Sequence, residues 1–143
     1  MNVPLVGLWK LVTYELRWTD GRVEKPFGNT PTGRLMYDES GRMMGQCLDP
    51  RRSNFSHRNS LRGSDAEMRA AFTGCIAYFG TYTLDTAMRT VIHHVTGSLF
   101  PNWIGRDQIR HFEVHGPQLT LRTPPIKTGK REVVAVLVWE RDQ

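Results

Sequence analysis

Apolar and polar residues alternate along most of this chain, in short runs broken by turn residues. The opening run spans Gly7 to Arg17, Gly-Leu-Trp-Lys-Leu-Val-Thr-Tyr-Glu-Leu-Arg, and ends at Thr19-Asp20-Gly21. Such alternation places successive side chains on opposite faces of a β-strand. Further runs fall at 34–38, 42–48, 76–84, 89–99, 106–115, 118–123 and 132–141. Their punctuation is turn chemistry, as at Asp38-Glu-Ser-Gly41, His115-Gly-Pro117 and Lys127-Thr-Gly-Lys130. One interval differs. Ser64-Asp-Ala-Glu67 is a capping box, in which the Ser64 hydroxyl accepts from the Glu67 N–H while the Glu67 carboxylate reaches back to the Ser64 N–H. It starts a helix through Met68, Ala70, Ala71 and Phe72 that Gly74 stops. A helix this short does not hold alone, so it must dock, and the open end of a barrel is its natural seat. The pattern predicts an all-β fold, an eight-stranded antiparallel up-and-down barrel with one short helix between the third and fourth strands. Closing eight strands removes exposed edges and leaves an interior that is just filled or holds one small ligand.

Composition narrows this picture only modestly. The 143 residues suit a single domain, 1–143, and the 39 % hydrophobic content suits a barrel whose interior is partly cavity. No run of about 18 apolar residues is present. Charged Lys10, Glu15, Arg17 and Asp20 interrupt the first stretch, which therefore lacks the form of a secretory signal, and a cytoplasmic location is expected. There Cys47 and Cys75 are expected as free thiols, with a single disulfide between them left open by their spacing. The net charge of +5 is concentrated in Arg51, Arg52, Arg58, Arg62 and Arg69 and in Lys127, Lys130 and Arg131. Neither cluster interleaves with exposed aromatic residues as in a single-strand-binding platform, so nucleic acid is not an expected partner. The expected partner is a small molecule, with the chain a monomer or homodimer.

Candidate chemistry centres on Val91-Ile-His-His-Val-Thr-Gly-Ser-Leu-Phe-Pro-Asn-Trp-Ile-Gly105. Adjacent histidines on a strand point to opposite faces, so one of them faces the interior. The company of Val91, Val95 and Leu99 favours His93, unless a bulge intervenes, which Gly97 would mark. Tyr78 and Tyr82 share a face with Ile76 and Leu84, and a buried phenol needs a partner that His93 can supply. Arg110 shares a face with Gln108, Phe112 and Val114, and an inward guanidinium demands a carboxylate or an anionic ligand. Strict alternation puts Glu15 on the face of Trp9, Leu11 and Thr13, so a Glu15–Arg110 pair and a ligand held by Arg110 are both open. Tyr37 and Trp103 complete a ligand-binding set of Glu15, Tyr37, Tyr82, His93, Trp103 and Arg110, although Asn102 and Trp103 also suit a plain corner. Metal binding is not expected. His93 and His94 diverge, and no His-x-His, Cys-x-x-Cys or His-Glu-x-x-His spacing occurs. No phosphate loop or Gly-x-Ser-x-Gly elbow is present either, and no cofactor is expected.

An ordered set of motifs runs through the whole length. It comprises Gly7-Leu-Trp-Lys-Leu-Val-Thr-Tyr-Glu15, Pro26-Phe-Gly28, Pro31-Thr-Gly-Arg-Leu-Met-Tyr37, Gly41-Arg-Met43, Ala77-Tyr-Phe-Gly-Thr-Tyr82, His93-His94, Pro101-Asn-Trp-Ile-Gly105 and Leu137-Val-Trp-Glu-Arg141. In this set the chain resembles the bacterial and fungal lipocalin-like domain family of the calycin superfamily. The resemblance implies a small β-barrel around a pocket, in a family without one agreed reaction, some of whose members sit near genes for secondary-metabolite synthesis. It also implies that Trp9 plugs one end of the barrel with Arg141 stacked over it.

Two functions from different classes follow. The first is binding of a small hydrophobic or aromatic molecule, acidic or phenolic near Arg110, in the cavity. The second is a cofactor-independent isomerase, cyclase or dehydratase acting on a secondary-metabolite intermediate. In that case His93, Tyr78, Tyr82 and Arg110 would be the catalytic set, with histidine as base, tyrosine as donor and arginine steadying an oxyanion.

Overall fold

The computed structural model describes residues 4–143. Ten strands form one sheet: β1 Gly7–Trp18, β2 Val23–Glu24, β3 Thr32–Tyr37, β4 Arg42–Leu48, β5 Cys75–Asp85, β6 Thr90–Ser98, β7 Asp107–His115, β8 Gln118–Arg122, β9 Ile126–Thr128 and β10 Arg131–Arg141. Their order is β2-β1-β3-β4-β5-β6-β7-β8-β10-β9, and β1 also pairs with β10. β2 and β9 are only two and three residues long. The other eight strands therefore close a barrel, each antiparallel to its neighbours. The helix α1, Asp65–Thr73, stands between the third and fourth barrel strands, β4 and β5, with both arms of its capping box formed. Both cysteines are free. No helix among the described residues is long and apolar enough to cross a membrane.

Burial is uneven along the barrel axis. At one end Leu5, Trp9, Tyr37, Val91 and Leu119 are buried to 1 % exposure or less and fill the interior. The Trp9 indole N–H donates to the Leu5 carbonyl at 2.9 Å. The Arg141 guanidinium lies 4.3 Å from the Trp9 ring centroid and donates to the carbonyls of Val6 and Pro4 at 2.9 and 3.0 Å. A planar cation can lie flat on the indole and still spend its N–H groups on backbone, which closes this end. Gly7 is required beneath it, since its φ is +132° and a Cβ there would lie 2.7 Å from an Arg141 nitrogen.

Two bulges change which residues face inward. In β1 the pairing with β10 runs Leu11↔Trp139 and then Thr13↔Val138, so Val12 is an extra residue. Trp9 and Leu11 point inward before it, and Tyr14 and Leu16 after it. Strict alternation would have turned Glu15 inward; the bulge turns it out, where it accepts from Arg17 at 3.0 and 3.1 Å. The second bulge lies where Phe79↔Gly97 is followed by Gly80↔Val95, leaving Thr96 unpaired. It separates Leu99 from the face of His93, and Leu99 is 39 % exposed instead of sharing the interior with Val91 and Val95. Pro101–Trp103 forms a single 3₁₀ turn at the corner that follows.

Candidate functional site

β6 turns His93 into the barrel and His94 out of it. His93 is 1 % exposed, while His94 meets Asp107 Oδ1 at 2.8 Å and Thr83 Oγ1 at 3.1 Å on the outer surface. His93 is held from both sides: Nε2 lies 2.6 Å from the Tyr37 hydroxyl and Nδ1 lies 2.7 Å from the Tyr78 hydroxyl. Burial disfavours the imidazolium, and the Arg110 guanidinium and then the neighbouring His94 add to this, lowering the pKa to about 3. The ring is therefore neutral at ordinary pH and carries one proton. Satisfying every buried hydroxyl then decides where that proton sits. The Tyr37 hydroxyl has no partner besides His93 among the described residues, so its proton must go to Nε2 or be left stranded in the core. Nδ1–H then donates to the Tyr78 oxygen. The Tyr78 proton is left free to donate into the space in front of it.

That space is a cavity of about 570 Å³ above the filled end of the barrel. Its wall includes Tyr14 and Leu16 from β1, Cys47 from β4, Tyr78 from β5, His93 from β6, Gln108 and Arg110 from β7, and Ala135, Leu137 and Trp139 from β10. Trp103 and the Thr123-Pro-Pro-Ile126 segment border it as well. Its polar groups have mostly used their acceptors. Gln108 Oε1 accepts from Arg110 at 3.4 Å, leaving the amide NH₂ to donate. Thr123 Oγ1 accepts from the Ala135 N–H at 3.0 Å, leaving its own proton. The Trp139 indole N–H is buried without a hydrogen-bond partner among the described residues.

Arg110 is half-buried and donates to the Ile109 carbonyl at 2.9 Å. None of the ion pairs among the described residues includes it. Its charge is nevertheless felt around the cavity. Burial raises the pKa of Tyr14, Tyr37 and Tyr78, and the nearby guanidinium pulls each of them partly back. Burial likewise pushes the Cys47 thiol up to about 12. These groups stay neutral, and the carboxylate of Asp107, which borders the cavity, meets His94 instead of Arg110.

The structure brings together Tyr78, His93, Trp103 and Arg110 as the sequence pattern suggests. It does not bring Glu15 to Arg110, because the Val12 bulge intervenes. Tyr37 and Tyr82 point inward but lie in the filled end and do not line the cavity. Their rings meet edge to face at 4.8 Å, and the Tyr82 hydroxyl donates to the Asp38 carbonyl at 2.7 Å rather than to His93. Tyr14, Cys47, Thr123 and Trp139 are wall residues that sequence reasoning missed. For Trp139 the signal was present as the spacing Val133, Ala135, Leu137, Trp139, but Val134, Val136 and Val138 blur it.

Comparison with known proteins agrees with this architecture. A family model described as a lipocalin-like domain matches residues 6–142. The chain is 31 % identical over 106 residues, 69 % of its length and 96 % of the relative's, to the 4'-hydroxy-3'-methoxypropiophenone carrier protein ppsC of Aspergillus oryzae. Among solved structures, a lipocalin-like protein from Bacteroides uniformis superimposes with a TM-score of 0.50 at 13 % identity, covering 98 % of this chain and 100 % of that one, a likeness of fold. The closed eight-stranded barrel and the near-complete match of the family model together place this chain in the lipocalin-like domain family.

Proposed function

We propose that the cavity binds one small aromatic molecule carrying a hydrogen-bond-accepting oxygen, and that the protein acts as its carrier. The observation that carries this reading is the wall itself. It is an apolar enclosure of about 570 Å³ into which Tyr78, Gln108, Arg110 and Thr123 offer protons. Ligand pockets are typically mostly apolar, with a few polar groups that fix orientation, and run to several hundred Å³. The relative from Aspergillus oryzae supports the reading, since its name specifies an aromatic ketone as cargo.

The enzymatic alternative needs a base that can reach a substrate. Both nitrogens of His93 are taken by tyrosine hydroxyls, and its low proton affinity makes it a poor base at neutral pH. Tyr78 and Arg110 remain as donors without a partner base, an arrangement that favours holding a ligand over converting it.

The test is titration with 4'-hydroxy-3'-methoxypropiophenone, read by quenching of Trp103 and Trp139 emission. Saturable binding of one molecule per chain is expected. Ala135→Phe puts a ring into the cavity and should abolish binding while leaving the circular dichroism of the barrel in place. Unchanged binding in that variant would move the site elsewhere.

A further inference from the structure

The cavity contains a cation without a counter-ion. Among the described residues, Arg110 is the only lysine or arginine in its wall, and the only carboxylate bordering it is Asp107, whose Oδ1 is engaged by His94 on the outer side. The other titratable groups facing the space are Tyr14 from β1, Cys47 from β4, Tyr78 from β5 and His93 from β6. β8, β10 and the 123–126 segment contribute no charged side chain to it. Tyr78, in the same wall, is equally one-sided. With the Tyr37 proton spent on His93 Nε2, and His93 Nδ1–H spent on the Tyr78 oxygen, Tyr78 meets a ligand as a donor. A half-buried guanidinium beside a donating phenol is a receptor for negative oxygen, since both interactions strengthen when the acceptor is ionised.

Resting on the cavity reading above, we propose that the ligand is bound as an oxygen anion, a phenolate, with its charged oxygen between the Tyr78 hydroxyl and the Arg110 guanidinium. On binding, the O–H bond of the phenol breaks. The electron pair stays on the ligand oxygen and the proton passes to bulk water at the open end. No oxidant or second substrate takes part. The proton chain Tyr37–His93–Tyr78 sets the polarity of the site: it favours anions and acceptors and discriminates against amines and other cations.

The experiment uses the full chain and two probes that differ by one methyl group. 4'-Hydroxy-3'-methoxypropiophenone has a phenol acidified by its para acyl group, and its absorption moves to longer wavelength on ionisation. 3',4'-Dimethoxypropiophenone cannot ionise. Spectra are recorded at a pH about one unit below the phenol's own pKa, where most of the free compound is neutral. The expected result is a phenolate spectrum for the bound hydroxy compound, a pKa lowered by roughly 1–3 units as for an acid beside a guanidinium, and release of a proton on binding. At that pH the dimethoxy compound should bind about twofold more weakly if the shift is one unit and about tenfold more weakly if it is two, because only the ionised fraction gains the added interaction. Arg110→Gln should return the bound spectrum to the neutral form, and Arg110→Lys should recover part of the phenolate band. If both compounds bind equally, with the hydroxy compound neutral when bound, the anion inference is overturned while the cavity reading stands. If neither binds, the cavity reading falls and the inference falls with it.

Discussion

A histidine held at 1 % exposure between two phenols cannot respond to pH as a surface histidine does. Its folded pKa, about 3, lies below the ordinary value of 6.5, so between those values the unfolded chain holds more protons at this position. Stability must then rise with pH through this window: the contribution of His93 is complete above pH 6.5 and is lost as pH falls toward 3. Denaturant unfolding between pH 6.5 and about 5 should show a loss of about 2 kcal/mol from this residue, before the carboxylates begin to titrate. His93→Gln can accept from Tyr37 and donate to Tyr78 without taking a charge. It should flatten the profile in that interval, and an unchanged slope would contradict the buried neutral assignment. The inward direction of His93 was legible in the sequence, because Val91 and Val95 flank it at the strand period. Its partners were only half legible. Tyr78 follows from parity, but Tyr37 meets His93 through the closure of the barrel across 56 residues of chain, which no local pattern encodes.

At the scale of elements, boundaries were the easier part and phase the harder. The predicted strand at 76–84 is Cys75–Asp85, and the run at 42–48 is Arg42–Leu48. What spacing could not supply was the bulge at Val12, since valine suits a regular strand as well as a bulged one. A single extra residue was enough to exchange Glu15 for Tyr14 on the inner face. Gly97 was a better marker, as the second bulge lies beside it. The helix was legible because its signal is chemical rather than periodic. Ser64 and Glu67 exchange both hydrogen bonds of the capping box, and Glu67 also accepts from the Ser56 N–H at 2.6 Å. α1 has no buried residue, so its cap matters more than its packing. Ser64→Ala should cost the helix about 1 kcal/mol. Amide hydrogen exchange should show faster exchange in α1 and in the Ser56 segment, with the barrel strands unaffected.

For the whole molecule, the filled end and the open cavity divide the labour. The Trp9–Arg141 end gives the barrel its packed core, while the cavity end forgoes such packing, so that the proposed ligand would supply the missing contacts. A ligand at 100 times its dissociation constant should therefore raise the unfolding free energy by about 2.7 kcal/mol. Thermal melts over a concentration series should show the midpoint climbing with free ligand, and a flat series would mean that the ligand binds outside the folded barrel. The pairing of β1 with β10, from Trp9↔Arg141 to Trp18↔Val133, carries a consequence in time as well as in space. The first strand leaves the ribosome long before its partner exists, and two of the walls around Arg110 cannot meet until residues 133–141 have emerged. The barrel thus closes only once β10 has emerged, in a step whose long loop closure makes it slow. Until then β1 waits as an unpaired edge. Before β10 is in place there is no cavity to load, so on the proposed reading a ligand is taken up only after the barrel has closed.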